Sequence, residues 1–332
     1  MNHPEGNYVV DRRQFLIRML KAGVAIAATG GLGYALYDPK GPAGFEDGTP
    51  GGVQLPSFSP ADNKERMAIV SGADRLASIN LAFKALGGIE AFVKQGDRVL
   101  IKVNAVIASP AFLCATTHPE LLAEVVRLCF KAGASSVIVT DNPINSPESC
   151  FALTGLGEAA RSMGARVVLP RDDFFKPATV PGATFIKNWP VLYTPFEGIN
   201  KLIGIAPVKS HQRSGATMSL KNWYGLIGGR RNIFHQNIHD FIKELGMMVR
   251  PTLVVLDGTM TMMTNGPTGG SLSDLKATHT MIVSTDQVAA DAFGATLLDK
   301  TARDLPYLLK AEAAGVGTVD YESLHPIRVQ SG

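Results

Sequence analysis

Arg98-Val99-Leu100-Ile101-Lys102-Val103-Asn104 is the stretch on which the fold turns. A short aliphatic run of this kind, closed by polar residues, reads as a buried β-strand. Similar runs recur at Met67–Ser71, Ser136–Thr140, Arg166–Leu169, Lys201–Pro207, Leu253–Leu256 and Thr280–Ser284. Amphipathic segments alternate with them and predict helices near Arg75–Val93, Pro119–Lys131, Leu153–Met163, Thr217–Ile227, Ile238–Met248 and Asp286–Leu298. Residues 172–200 show no clear period, and the chain contains no internal repeat.

This alternation predicts an α/β fold, a mainly parallel sheet flanked by helices and built of Rossmann-like units. In such sheets ligands bind beyond the carboxyl ends of the strands, so polar residues that end apolar strands carry weight. Lys102 and Asn104 close one strand, Asp141 and Asn142 the next, Lys209 and His211 follow Ile205-Ala206-Pro207, and Asp257-Gly258 closes Leu253–Leu256. Each taken alone also suits a turn or a cap. Lys102 is different, because an ammonium in an apolar strand needs a ligand or a carboxylate such as Asp141 or Asp257.

Charge points to the same region. From Lys201 to His239 there is no Asp or Glu, while Lys201, Lys209, Arg213, Lys221, Arg230 and Arg231 stand beside His211, His235 and His239. One-signed clustering predicts a small anionic ligand, a phosphate or a carboxylate, held by lysine and arginine and by backbone N–H groups at Gly228 and Gly229. Trp223, Tyr224, Leu226 and Ile227 interleave with the charges as a pocket wall would. Outside the first 43 residues the chain holds 27 basic and 26 acidic side chains, so no whole-molecule field attracts nucleic acid, and no nucleic-acid recognition motif is present. No G-x-S-x-G elbow, P-loop or H-E-x-x-H occurs, which sets aside ordinary hydrolase and nucleotide-triphosphatase readings. Met260, Met262 and Met263 read as packing residues, and Asp286 as the cap of the helix that follows it.

With 332 residues, 45% of them hydrophobic and 18% charged, the chain can bury a sizeable core. Its three cysteines, Cys114, Cys129 and Cys150, form no C-x-x-C pair, which argues against an iron–sulfur cluster or an all-cysteine zinc site. They read as buried free thiols, with at most one disulfide. At the N-terminus, Asp11-Arg12-Arg13-Gln14-Phe15-Leu16, then Lys21 and a mildly apolar stretch from Ala22 to Tyr37, resembles a twin-arginine export signal. That resemblance implies recognition by the twin-arginine translocase and a place in the periplasm or on the outer face of the cytoplasmic membrane. Membrane contact is transient or through the signal, and Gly33-Tyr34-Ala35 and Gly41-Pro42-Ala43 are the candidate cleavage sites. It also implies export in the folded state, which suits a metal or prosthetic group inserted beforehand. The expected organisation is a signal segment over 1–43, a Gly/Pro-rich linker over 44–65 and an α/β domain over 66–332.

Lys102-Val103-Asn104, Ala206 to His211, Ser219-Leu220-Lys221-Asn222, His235, Asp257-Gly258, Gly266-Pro267 and Ser284 to Asp291 together resemble the domain of unknown function 362 family, from about Met67 to Leu298. Members of that family often carry ferredoxin-like cysteine motifs, which this chain lacks. A second likeness is local. His211, Lys221 and His235 are similar in pattern to the nickel-pincer lactate racemases, which implies Lys221 as a cofactor tether, His235 as a metal ligand and His211 as an acid/base.

The expected catalytic residues are thus His211, Lys221 and Lys102. Lys209, Asn222, Asn104, Arg230 and Arg231 are expected to bind a cofactor or anion, and His235 and Asp257 a metal. Two functional classes follow: an exported enzyme, oxidoreductase or isomerase in type, acting on a small anionic substrate with a bound metal or cofactor, or a non-catalytic envelope protein that captures an anion or assists assembly.

Overall fold

A computed structural model describes residues 11–35, 52–60, 62, 64 and 66–331. The chain divides into two units, Met1–Ala43 and Gly44–Gly332. In the first, α1 (Arg12–Ala35) begins where Asp11 accepts the Arg13 N–H at 3.1 Å. Its stretch Arg12–Leu32 is long and apolar enough to cross a membrane, a test that N-terminal signal sequences also pass. Gly33-Tyr34-Ala35 ends this helix, whereas Gly41-Pro42-Ala43 lies outside the described residues, as does half of 44–65.

In chain order the second unit holds β1 (Met67–Ser71), α2 (Arg75–Ala85), β2 (Arg98–Lys102), α3 (Pro119–Lys131), β3 (Ser136–Thr140), α4 (Pro147–Leu153), α5 (Leu156–Ser162) and β4 (Arg166–Val167). Next come β5 (Phe175–Ala178), β6 (Trp189–Leu192), β7 (Lys201–His211), β8 (Gly215–Thr217), α6 (Ser219–Asn222) and α7 (Ile238–Met248). The last are β9 (Leu253–Met262), β10 (Leu275–Ser284), α8 (Gln287–Thr296), α9 (Pro306–Ala313) and β11 (Ile327–Gln330). The main sheet runs β11-β1-β10-β9-β7-β2-β3-β4, with β8 folded back on β7 and β5–β6 forming a separate pair.

From β9 to β4 every contact in that order is parallel, as expected of strands linked by helices. β10 is antiparallel to both β9 and β1, which makes the sheet mixed. The reason is local: no crossover helix separates Met262 from Leu275, so the chain doubles back as a hairpin. Strand alternation then sorts side chains into two cores. Val99, Ile101, Ile203, Ile205, Leu253 and Val255 pack under α2, α3 and α5, while Leu100, Leu202, Ala206, Val254 and Leu256 pack under α7, α8 and α9.

Three expected helices are altered: the one near Arg75–Val93 stops at Ala85, where Gly87 and Gly88 take positive φ, and a 3-10 turn over Ile89–Ala91 follows. Gly155, at φ 75°, ends α4 and starts α5 inside the expected Leu153–Met163 helix, and only Ser219–Asn222 of Thr217–Ile227 is α-helical before a 3-10 turn over Trp223–Leu226. Of the expected linker, residues 52–60 lie against the folded unit. Val53 donates to Pro177 O, and the buried Phe58 is held between Arg250 O and the Thr252 hydroxyl. The three cysteines are buried and free.

Candidate functional site

The chain runs from β2 outward through β3 to β4, then returns to place β7 on the other side of β2. That reversal leaves a crevice beyond the carboxyl ends of β2 and β7, where no crossover covers the strands. A cavity of about 500 Å³ lies there, lined from β2 by Lys102 and Asn104, from the loop after β3 by Asp141 and Asn142, and from β7 by Lys209 and His211. α6 and the turns after it add Lys221, Asn222, Tyr224, Arg231 and His235.

Lys102 shares the face of Leu100 and is 1% exposed. Its ammonium is held by Asp141 Oδ1 at 2.7 Å, Val103 O at 2.7 Å and Asn222 Oδ1 at 2.9 Å. Asp141 was one of the two carboxylates the sequence offered. Its other oxygen accepts the Ala105 N–H at 2.6 Å, and Asn142 N–H reaches Oδ1 at 2.9 Å. Burial lowers the Lys102 pKa and the Asp141 charge opposes it, so the pair rests on geometry as well as on charge. Gly225 makes room for it: a Cβ there would stand 2.0 Å from Asp141 Oδ1.

The other cations have no such partner. Lys209 Nζ donates to Ala115 O and to Pro267 O at 3.1 Å. Arg231 donates to Tyr224 O, Ile227 O and Pro143 O at 3.3, 3.2 and 2.8 Å. For Lys221 no hydrogen bond or ion pair is found among the described residues. Its Nζ stands 5.1 Å from the centre of the Tyr224 ring. Burial, then the neighbouring Arg231 and Lys102 charges, lower Lys221 to about 7, and burial with the Lys221 charge lowers Lys209 to about 7.

The two histidines differ in tautomer. His211 Nδ1 accepts from the N–H groups of Arg213 at 3.1 Å and Ser214 at 3.2 Å, so its proton sits on Nε2. Burial and the Lys221 charge push its pKa down to about 3, and the ring stays neutral. His235 Nδ1 lies 3.1 Å from the Tyr224 hydroxyl and 3.2 Å from Asn232 O. Because the Tyr224 proton goes to Arg231 O, Nδ1 carries the His235 proton and Nε2 keeps a lone pair. The rings are nearly parallel, 5.9 Å apart. Burial, then Lys221, lowers His235 as well. Two cavity atoms, Asn104 Oδ1 and Thr217 Oγ1, are buried without a hydrogen-bond partner among the described residues, an unusual state that a polar ligand would relieve.

The structure therefore gathers Lys102, Asn104, Lys209, His211, Lys221, Asn222, Arg231 and His235 on one cavity. Arg230 is exposed and outside its wall. Asp257 is also elsewhere. It shares the face of Leu253 and Val255, where its carboxylate binds Arg75 Nε at 2.7 Å and the Thr259 N–H at 2.9 Å. Among the described residues no three His, Cys, Asp or Glu side chains cluster as a metal site. His239 packs beside Tyr307 instead. Asp286 caps α8 through the Val288 and Ala289 N–H groups, as its position in the sequence predicts. Gly225, the Tyr224 hydroxyl and Phe175 on the cavity wall were not picked out from the sequence; a glycine inside an otherwise helical pattern was the one available signal for the first.

The model of a family described as a domain of unknown function (DUF362) matches residues 99–296, a span that holds every cavity residue named above. Thylakoid-associated protein sll1697 of Synechocystis sp. is 24% identical over 262 residues, covering 76% of this chain and 78% of that protein. Among solved structures, the lactate racemase apoprotein of Thermoanaerobacterium thermosaccharolyticum aligns at 11% identity and a TM-score of 0.39, over 74% of this chain and 61% of the racemase. SMU.776, a putative methyltransferase complexed with SAH, aligns at 8% identity and a TM-score of 0.21, over 59% of this chain and 46% of its own. The chain thus spans less than two thirds of either solved structure.

Proposed function

The chain belongs to the DUF362 family, whose match takes in the whole cavity, and we propose that this cavity binds a small anionic substrate and acts on it by proton transfer. The observation that carries the reading is an imbalance of charge. Lys102, Lys209, Lys221 and Arg231 line a space whose one buried carboxylate, Asp141, is already held by Lys102. Desolvated cations left without counter-charges attract a carboxylate or phosphate strongly. In this reading Lys221 and Lys209 hold the anion, His211 Nε2–H donates to a substrate oxygen, and the lone pair of His235 Nε2 accepts the proton. Asn104 and Asn222 fix the Lys102–Asp141 pair that forms the floor.

Asp257 and Arg230 take no part, and no step is assigned to a metal, because the donors present form no three-ligand set among the described residues. The N-terminal helix with Arg12-Arg13 supports export by the twin-arginine translocase to the outer face of the membrane, where the signal is the membrane contact. A capture protein without catalysis would use the same cations but would not need the paired tautomers of His211 and His235.

Calorimetric titration with lactate and with phosphate tests the reading. Affinity should rise as pH falls through about 7, where Lys209 and Lys221 take up protons. Absence of binding by either anion across that range contradicts it. Analysis of the protein purified from its own cells adds the chemical class, since a stoichiometric metal or chromophore would require a different assignment of the proton-transfer groups.

A further inference from the structure

Lys221 differs from every other cation on the cavity wall. Lys102 has a carboxylate, a carbonyl and an amide oxygen, Lys209 has two carbonyls, and Arg231 has three. Lys221 has only the face of Tyr224 among the described residues, although its residue is 9% exposed. A buried lysine whose role was structural would be hydrogen-bonded, because leaving an ammonium unsatisfied costs more than placing an apolar residue there. Its nitrogen opens on a cavity that also holds one imidazole N–H and one imidazole lone pair.

We propose that Lys221 is a nucleophile that forms an imine with a small carbonyl compound bearing an adjacent carboxylate, a 2-oxo acid. The inference rests on the anion-binding reading above. Lys209 and the field of Arg231 hold the carboxylate, which brings the neighbouring carbonyl carbon to Lys221 Nζ. Burial and the surrounding charges of Arg231 and Lys102 keep a large share of this amine unprotonated near neutral pH, the form that attacks. The step balances without an oxidant or reductant. The Nζ lone pair forms the C–N bond while the carbonyl oxygen, hydrogen-bonded by the neutral His211 Nε2–H, takes up a proton from solvent, the one net proton that the iminium product requires. His235 Nε2 accepts a proton from the new ammonium and returns it to the departing hydroxyl. Water leaves and C=N remains. The resulting iminium withdraws electrons from the adjacent carbon, so the chemistry favoured is proton exchange or bond cleavage beside the former carbonyl.

The test uses the purified full chain with pyruvate as the reactive probe and lactate as an anion of similar size that cannot form an imine. Borohydride is added to the pyruvate mixture, and intact mass and peptide mapping locate any reduced adduct, while calorimetry follows lactate. The expected result is a single adduct on Lys221 that is lost in Lys221→Arg, whose guanidinium cannot form an imine. Lactate binding with no adduct, or an adduct spread over other lysines, overturns the imine and leaves the anion-binding reading standing. Failure of both lactate and pyruvate to bind overturns that reading and the imine with it.

Discussion

Gly225 sets the floor of the cavity by having no side chain. A methyl group at this position would stand 2.0 Å from Asp141 Oδ1 and 2.6 Å from Lys102 Nζ, so Gly225→Ala must separate a buried ion pair. Disrupting such a pair costs about 3–5 kcal/mol, and urea unfolding should show a loss of that order in this variant. A loss below about 1 kcal/mol would mean that the pair can shift aside without cost. Lys102 itself was legible, because an ammonium inside Val99–Val103 demands a partner wherever the strand lies. Which carboxylate answered it was not legible. Asp141 and Asp257 both follow apolar strands, and only the register of β9, which turns Asp257 to the face of Val255 and on to Arg75, separates them.

At the scale of elements, the one-turn helix α6 carries both Lys221 and Asn222, yet a helix of four residues has almost no stability of its own. Asp291 of α8 supplies it. Its buried carboxylate accepts the N–H groups of Ser219 at 2.7 Å and Leu220 at 3.0 Å, and the Trp223 indole is tied to Gln287 Oε1 at 2.6 Å just beyond. Burial raises Asp291 to about 7, against the pull of those two N–H groups. Asp291→Asn replaces one acceptor oxygen with a donor facing an N–H, which should cost about 1–3 kcal/mol and weaken lactate binding, since Lys221 loses its support. Unchanged lactate affinity in this variant would show that α6 is positioned by packing alone.

Long, strongly patterned elements were readable in advance: α3 and α7 begin and end where Pro119–Lys131 and Ile238–Met248 predict. β5 and β6 were not. Each has four residues, Pro177 and Pro190 interrupt the alternation, and the pair stands outside the main sheet, so no period of two is imposed on it.

For the whole molecule, the decisive property is where the strand order reverses. β2 and β7 lie side by side although about a hundred residues separate them, and their carboxyl ends bring Lys102 to Lys209 and, through α6, to Lys221. Alternation of strands and helices made the α/β class and the strand-end site readable. It could not reveal the antiparallel β10, because strand direction depends on the missing crossover helix rather than on the strand's own residues. The N-terminal segment makes a separate prediction. Replacing both Arg12 and Arg13 with Lys should keep the protein in the cytoplasm with its circular dichroism spectrum unaltered, because a receptor reads the arginine pair while the fold lies in Gly44–Gly332. Export at the wild-type level would count against the twin-arginine route.

The central claim, that Lys221, unpartnered among the described residues in a cavity of excess positive charge, exists to meet an anion, is tested most directly by Lys221→Met. Methionine keeps the apolar stem and removes the amine, so thermal unfolding and lactate titration can be read on the same variant. The account predicts that lactate binding disappears while the unfolding temperature stays the same or rises, since an uncompensated buried cation has been removed. A lowered unfolding temperature with lactate binding intact would contradict it.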